Sequence, residues 1–201
     1  ITNLKEERKR RKRVKSILEI VRLNLITDLK TIDKGFDKLD KLEECMNKAL
    51  NPKTNFEMLN ENEKWILISF IFKFPTFNIQ KEGFYLLRDA DFHYDIKKHK
   101  ILSEIITMYH FHINNVERER DRVLRISENN KLNHMQDPWL YYKRDSEEGR
   151  IKAFNYLEDV FHTDNFINEI DYMSKLTFGD YRVSVKNYKD NITNILERIK
   201  Q

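Results

Sequence analysis

The chain has 201 residues, of which 35% are charged and 40% are hydrophobic, and it contains only 4 Gly and 3 Pro. So few turn-forming residues argue against β-sandwiches, barrels and glycine-rich nucleotide-binding folds, and 12% of aromatic residues excludes wholesale disorder. One cysteine, Cys45, excludes a disulfide framework and a metal site with several thiolate ligands. We therefore expect an all-α fold, an elongated antiparallel helical bundle, with a single helical domain over residues 14–201.

The first predicted element is a long helix over residues 3–50. Its apolar residues recur every 3 or 4 positions from Val14 to Leu50, which is typical of a coiled-coil-like helix, and Asn51-Pro52 ends it. Such a helix is about 70 Å long at 1.5 Å per residue. A compact globule of this chain length is only about 43 Å across, so the pattern favours an elongated molecule.

Further helices are predicted along the rest of the chain. Asn60 and Glu63 form a reciprocal helix cap before an apolar run that ends at Pro75. Residues 76–91 are a short connector for which helix and coil both stay open. The spacing then predicts helices over residues 95–129 and 146–162.

The last predicted helix begins at Asp164, which we expect to be its cap. Its later part carries apolar residues that alternate strictly by 3 and 4 positions, which requires a partner helix. The first helix presents a matching seam. The seam residues of the last helix are Phe178, Tyr181, Val185, Tyr188, Ile192, Ile195 and Ile199.

The net charge of +4 is concentrated at one end of the chain. Residues 5–15 (KEERKRRKRVK) hold eight positive and two negative side chains, a sum of +6, so the remaining residues sum to -2. A domain that binds nucleic acid carries its basic stripe across a folded face, so no nucleic-acid partner is expected. On a helix this run points in every direction and cannot pack against a core. Its six central cations are Arg8, Lys9, Arg10, Arg11, Lys12 and Arg13.

Several short stretches carry a resemblance to a known family. They are ITNLKEERK over residues 1–9, ITDLKTI over residues 26–32, Thr76-Phe77, Gly83 with Leu86-Leu87, and residues 105–109. In this order they resemble a bacterial family of small single-pass membrane proteins whose soluble part is a domain of unknown function. The resemblance implies a membrane anchor upstream of Ile1, a helical soluble domain and no assigned catalytic residues. Which side of the membrane the domain faces stays open.

Beside such an anchor, the run Arg8–Arg13 is expected to form a juxtamembrane collar on residues 1–15 that contacts anionic lipid headgroups. We call it the basic collar. Each cation near such a surface contributes about 1 kcal/mol.

One pair of residues in the sequence offers a catalytic alternative to this interpretation. Arg88 and His93 fit the Arg-x4-His pattern of a family of helical ribonucleases, in which the cation holds phosphate charge and the imidazole moves protons. The competing interpretation is a capping and turn segment with Asp91 as a helix cap. No two histidines have the i,i+4 spacing of a helical metal site, so no metal and no cofactor is expected.

The sequence thus predicts a non-enzymatic, membrane-tethered helical interaction or structural domain. Its expected partners are a membrane surface at the basic collar and a protein or second copy of the chain at the helical seams. One alternative is a ribonuclease-like enzyme that uses Arg88 and His93. The other is a small-ligand sensor whose pocket would be lined by the dense aromatic residues between Trp65 and Tyr85, for which core packing is the competing role.

Overall fold

The computed structural model describes residues 2–72, 76–89, 100–134 and 146–199, and no β-strand occurs in these ranges. The all-α class and the long first helix are confirmed. The helices are α1 (Thr2–Ala49), α2 (Glu61–Phe72), α3 (Glu82–Asp89), α4 (Lys100–Met108), α5 (Asn114–His134), α6 (Glu147–Val160), α7 (Asp164–Ser174) and α8 (Arg182–Ile199). A 3₁₀ turn covers Phe56–Met58, and π-helical turns at Tyr109–Ile113 and Lys175–Tyr181 join α4 to α5 and α7 to α8.

The chain folds into two compact units, and α1 supplies residues to both. The first unit consists of Ile1–Lys34, Phe77–Glu117 and Ser184–Gln201. Its core is built from the inner faces of α1, α4 and α8, because apolar side chains at helical spacing bury one face of each helix. Fully buried members of this core are Val21, Leu25, Ile32, Leu102, Ile105, Tyr188 and Ile192.

The second unit consists of Gly35–Thr76 and Arg118–Val183. Its core residues include Met46, Leu67, Ala153, Leu157, Phe161 and Phe166. Aromatic rings complete the packing: Trp65 lies 5.2 Å from Phe154, and Phe56 meets Phe161 edge-on at 6.0 Å, both between ring centroids. Such offset and edge contacts are the ordinary geometry of an aromatic core.

The start of α2 confirms the predicted reciprocal cap. The Asn60 amide donates to Glu63 Oε2 at 2.8 Å, and the Glu63 amide donates to Asn60 Oδ1 at 3.0 Å. The predicted cap of the later helix was wrong by one residue. Thr163 is the cap of α7, since its Oγ1 accepts from the Phe166 amide at 3.3 Å, and Asp164 is the first helical residue. There its charge favours the positive end of the helix dipole.

Residues 82–89, for which helix and coil had both stayed open, form the helix α3. It begins in close contact with α1, where the Gly83 amide donates to Asn24 Oδ1 at 2.8 Å. A Cβ atom on Gly83 would lie 2.7 Å from Val21 Cγ2 and 2.8 Å from Val21 Cα. Only glycine therefore permits this approach of the two backbones.

The predicted seam of the last helix is confirmed from Tyr181 to Ile195 but fails at its two ends. Tyr181, Val185, Tyr188, Ile192 and Ile195 are buried. Phe178 at the start of the seam and Ile199 at its end are half-buried. Helix ends are more open to solvent than helix centres, which accounts for Ile199. The reason for Phe178 is the π turn at Lys175–Tyr181, because a π turn holds one residue more than an α-helical turn and rotates the buried face.

The close contact at Gly83 predicts a specific destabilisation. We expect Gly83→Ala to lower the free energy of unfolding by about 1–3 kcal/mol, because the methyl group would force the backbones of α3 and α1 apart. The control is Gly35→Ala within α1, where a Cβ meets nothing within 4 Å. It should raise stability by up to about 1 kcal/mol. Urea denaturation followed by circular dichroism measures both, and an unchanged value for Gly83→Ala contradicts the close approach.

Candidate functional site

The structure places the basic collar on the exposed first turns of α1. All of Arg8–Arg13 are exposed, and the first buried side chain of the described part of α1 is Ile17. The Arg11 guanidinium donates to Glu7 Oε1 at 2.8 Å, in a pair whose two side chains are both mostly exposed. Such an exposed pair contributes little stability, so the collar keeps its charge available to solvent.

The structure places only one member of the Arg-x4-His pair. Arg88 is exposed near the end of α3, where its Nε donates to Asp89 Oδ1 at 2.9 Å and its guanidinium lies 5.1 Å from the ring centre of Tyr85. His93 and the alternative cap Asp91 lie outside the described residues. The ribonuclease-like pair therefore stays a prediction.

A buried polar cluster in the first unit was not predicted from the sequence. Asp28 on α1 is fully buried, and its carboxylate accepts from the Gln80 amide at 3.0 Å and from the Tyr188 hydroxyl at 2.7 Å. The Tyr109 hydroxyl donates to the carbonyl oxygen of the same Gln80 at 3.2 Å. We call Asp28, Gln80, Tyr109 and Tyr188 the Asp28 cluster.

Local sequence explains why these side chains meet. Asp28 follows Leu25 by three positions and precedes Ile32 by four, which places it on the buried face of α1. Tyr109 opens the π turn after α4, and its ring stacks on Phe84 with centroids 4.8 Å apart. The sequence signal that could have revealed the cluster is therefore the spacing of Asp28 relative to the apolar residues around it.

Burial dominates the electrostatics of the cluster. It raises the pKa of Asp28 to about 6, although the hydrogen bonds from Tyr188 and Gln80 favour the ionised form. Burial, and secondarily the charge on Asp28, raises the pKa of the Tyr188 and Tyr109 hydroxyls above the ordinary range. Both tyrosine hydroxyls therefore remain protonated. Asp28, by contrast, loses its proton as the pH rises through about 6.

Among the described residues, the Cys45 thiol and the possible metal ligands show no arrangement suited to chemistry. Burial raises the pKa of the Cys45 thiol to about 12, so it is not a thiolate nucleophile at neutral pH. No group of three His, Cys, Asp or Glu side chains in the described ranges is placed to hold a metal ion. Among the same residues, no helix combines the length and the apolar character needed to cross a bilayer.

No protein-family model, no curated protein and no solved structure matches this chain. The resemblance to single-pass membrane proteins accordingly stays an expectation. The exposed collar and the buried Asp28 cluster are the two features from which a function can be argued.

The pH dependence of the Asp28 cluster follows from the sign of the pKa change. The pKa of Asp28 is about 6 in the folded chain against an ordinary value of 3.8, so the folded chain binds this proton more tightly than the unfolded chain. The stabilising contribution of the group is complete below pH 3.8 and is lost as the pH rises through about 6.

We expect Tyr188→Phe to lower the free energy of unfolding by about 2 kcal/mol at pH 7, because it removes a donor from an ionised, buried carboxylate. At pH 4, where Asp28 is protonated, the loss should fall to about 1 kcal/mol. Urea denaturation at both pH values measures the difference. Tyr172→Phe, at a side chain that is largely exposed, should change neither value. An equal loss at both pH values contradicts the assigned hydrogen bond.

Proposed function

We propose that this chain is a non-enzymatic helical interaction domain that contacts an anionic membrane surface through the basic collar. The observation that carries the proposal is that all of Arg8–Arg13 are exposed on a helix that continues into the packed core at Ile17. Because these six consecutive cations surround the helix axis, they face a charged surface at any rotation of α1.

Charge arithmetic supports a lipid surface as the partner. Residues 5–15 sum to +6 and the remainder of the chain sums to -2, so attraction to anions is concentrated in about three helical turns. Cations near an anionic membrane each contribute about 1 kcal/mol. Six of them together suffice for reversible attachment without a hydrophobic insertion, and the attachment should weaken as salt screens the charges.

The surroundings of the chemically reactive groups support a non-enzymatic role. Burial raises the pKa of both Asp28 and Tyr188, and both side chains are fully buried inside the first unit. General acid or base catalysis requires that such a group reach a substrate proton. The buried Asp28 cluster is therefore better suited to a structural or conformational role than to turnover.

The proposal predicts salt-sensitive binding to anionic vesicles. The chain should co-sediment with vesicles that contain phosphatidylserine, fail to co-sediment with pure phosphatidylcholine vesicles, and dissociate at 1 M salt. Replacing Arg8, Arg10 and Arg13 by Gln should weaken binding about 100-fold, since three cations are lost. The melting temperature should stay within a few degrees because the side chains are exposed.

A matched variant on the same helix separates location from total charge. Replacing Lys34, Lys38 and Lys41 by Gln removes the same charge from exposed positions outside the collar. This variant should retain most of the binding. Equal loss in the two variants, equal binding to neutral vesicles, or binding that resists salt would overturn the proposal.

A further inference from the structure

Residues 76–81, which we call the strap, are held in place by side chains of neighbouring helices. The strap has no helical or strand structure of its own. Its Gln80 peptide donates to Asp28 on one side and accepts from Tyr109 on the other. Phe77 is buried at the start of the strap, and Lys81 at its end pairs with Glu117 at 2.6 Å. The position of the strap therefore depends on a few directed contacts.

The groups that face Asp28 from each packed element are polar and uncharged. The strap presents the Gln80 amide, the π turn presents Tyr109, and α8 presents Tyr188. Within the described residues no cationic side chain is paired with Asp28. The neighbouring cations Lys81 and Lys189 instead pair with Glu117 and with Asp33.

We propose that Asp28 is a proton-operated latch, which holds the strap against α1 when it is protonated and lets the strap open to water when it is ionised. An ionised carboxylate without a cation is costly to bury, and two hydrogen bonds recover only part of its lost hydration. The neutral carboxyl group has a much smaller cost. The carbonyl oxygen of the neutral group can still accept from the Gln80 amide, so the contact that holds the strap is kept.

The frequency of strap opening should change most with pH in mildly acidic solution. With a pKa of about 6 in the closed state and an ordinary value of 3.8 once the strap is open, opening should become about 50-fold more frequent between pH 4 and pH 7. Above about pH 7 the response should level off, because Asp28 is then ionised in both states. Acidification closes the latch, and this holds whether or not the chain contacts a membrane.

Amide hydrogen exchange measured by NMR tests the latch. Protection factors, which are corrected for the intrinsic pH dependence of exchange, should fall about 50-fold from pH 4 to pH 7 at the strap amide of Gln80. The Tyr85 amide, which donates to the carbonyl oxygen of the strap residue Lys81, should follow it. The amide of Leu157, in the core of the second unit, should not follow this change. A uniform fall at all amides would mean global unfolding and would overturn the proposal.

Two variants of α1 distinguish the latch from general effects of charge. Asp28→Asn imitates the neutral carboxyl group, so strap protection at pH 7 should rise to the level of the wild type at pH 4. Asp33→Asn removes a carboxylate of the surface pair with Lys189 and should keep the pH response of the wild type.

A direct titration of the wild-type chain makes the test independent of whether Asp28→Asn folds. Carboxyl carbon NMR should show Asp28 titrating near pH 6, and the change in strap protection should level off by about pH 7. An Asp28 carboxyl group that titrates near 3.8, or a pH response that survives in Asp28→Asn, overturns the latch.

Discussion

The first unit depends on one constraint, the buried carboxylate of Asp28, which pairs with no cation among the described residues. Asp28 draws its two donors from residues 52 and 160 positions away in the chain, so the cluster forms only after three distant segments have assembled. A buried charge with one donor missing costs several kcal/mol. The burial of Asp28 therefore requires that the surrounding packing hold Gln80 and Tyr188 in place. The apolar core requires the same packing.

The same stretch of α1 also accepts hydrogen bonds from backbone amides of the strap and of the start of α3. Asn24 and Asp28, one helical turn apart, accept from the amides of Gly83 and Gln80. Val21, on the same stretch, is the residue that Gly83 approaches closely. These side-chain oxygens satisfy backbone N–H groups that have no acceptor within a helix. Specificity in this region comes from directed hydrogen bonds, while the surrounding apolar residues supply most of the stabilising free energy.

Periodicity and capping chemistry were sufficient to predict most of the helices, because each is a local property of the chain. The cap at Asn60 and the buried seam from Tyr181 to Ile195 are examples. Periodicity and capping left α3 open, since its start depends on contact with α1. Asp28 escaped prediction because a polar residue is normally placed on the outer face of an amphipathic helix, and its donors are distant in sequence. Phe178 was misplaced because helical spacing assumes an unbroken α-helix. The collar was visible in the sequence because its charge is contiguous and requires no partner.

The π turns have a consequence for how this chain is compared with others. Each π turn holds one residue more than an ordinary helical turn. The helical register therefore shifts by one residue across Tyr109–Ile113 and again across Lys175–Tyr181. A protein with uninterrupted helices would match this chain only with one residue left unpaired at each π turn. Kinship across these positions is best sought segment by segment, with each helical stretch aligned in its own register.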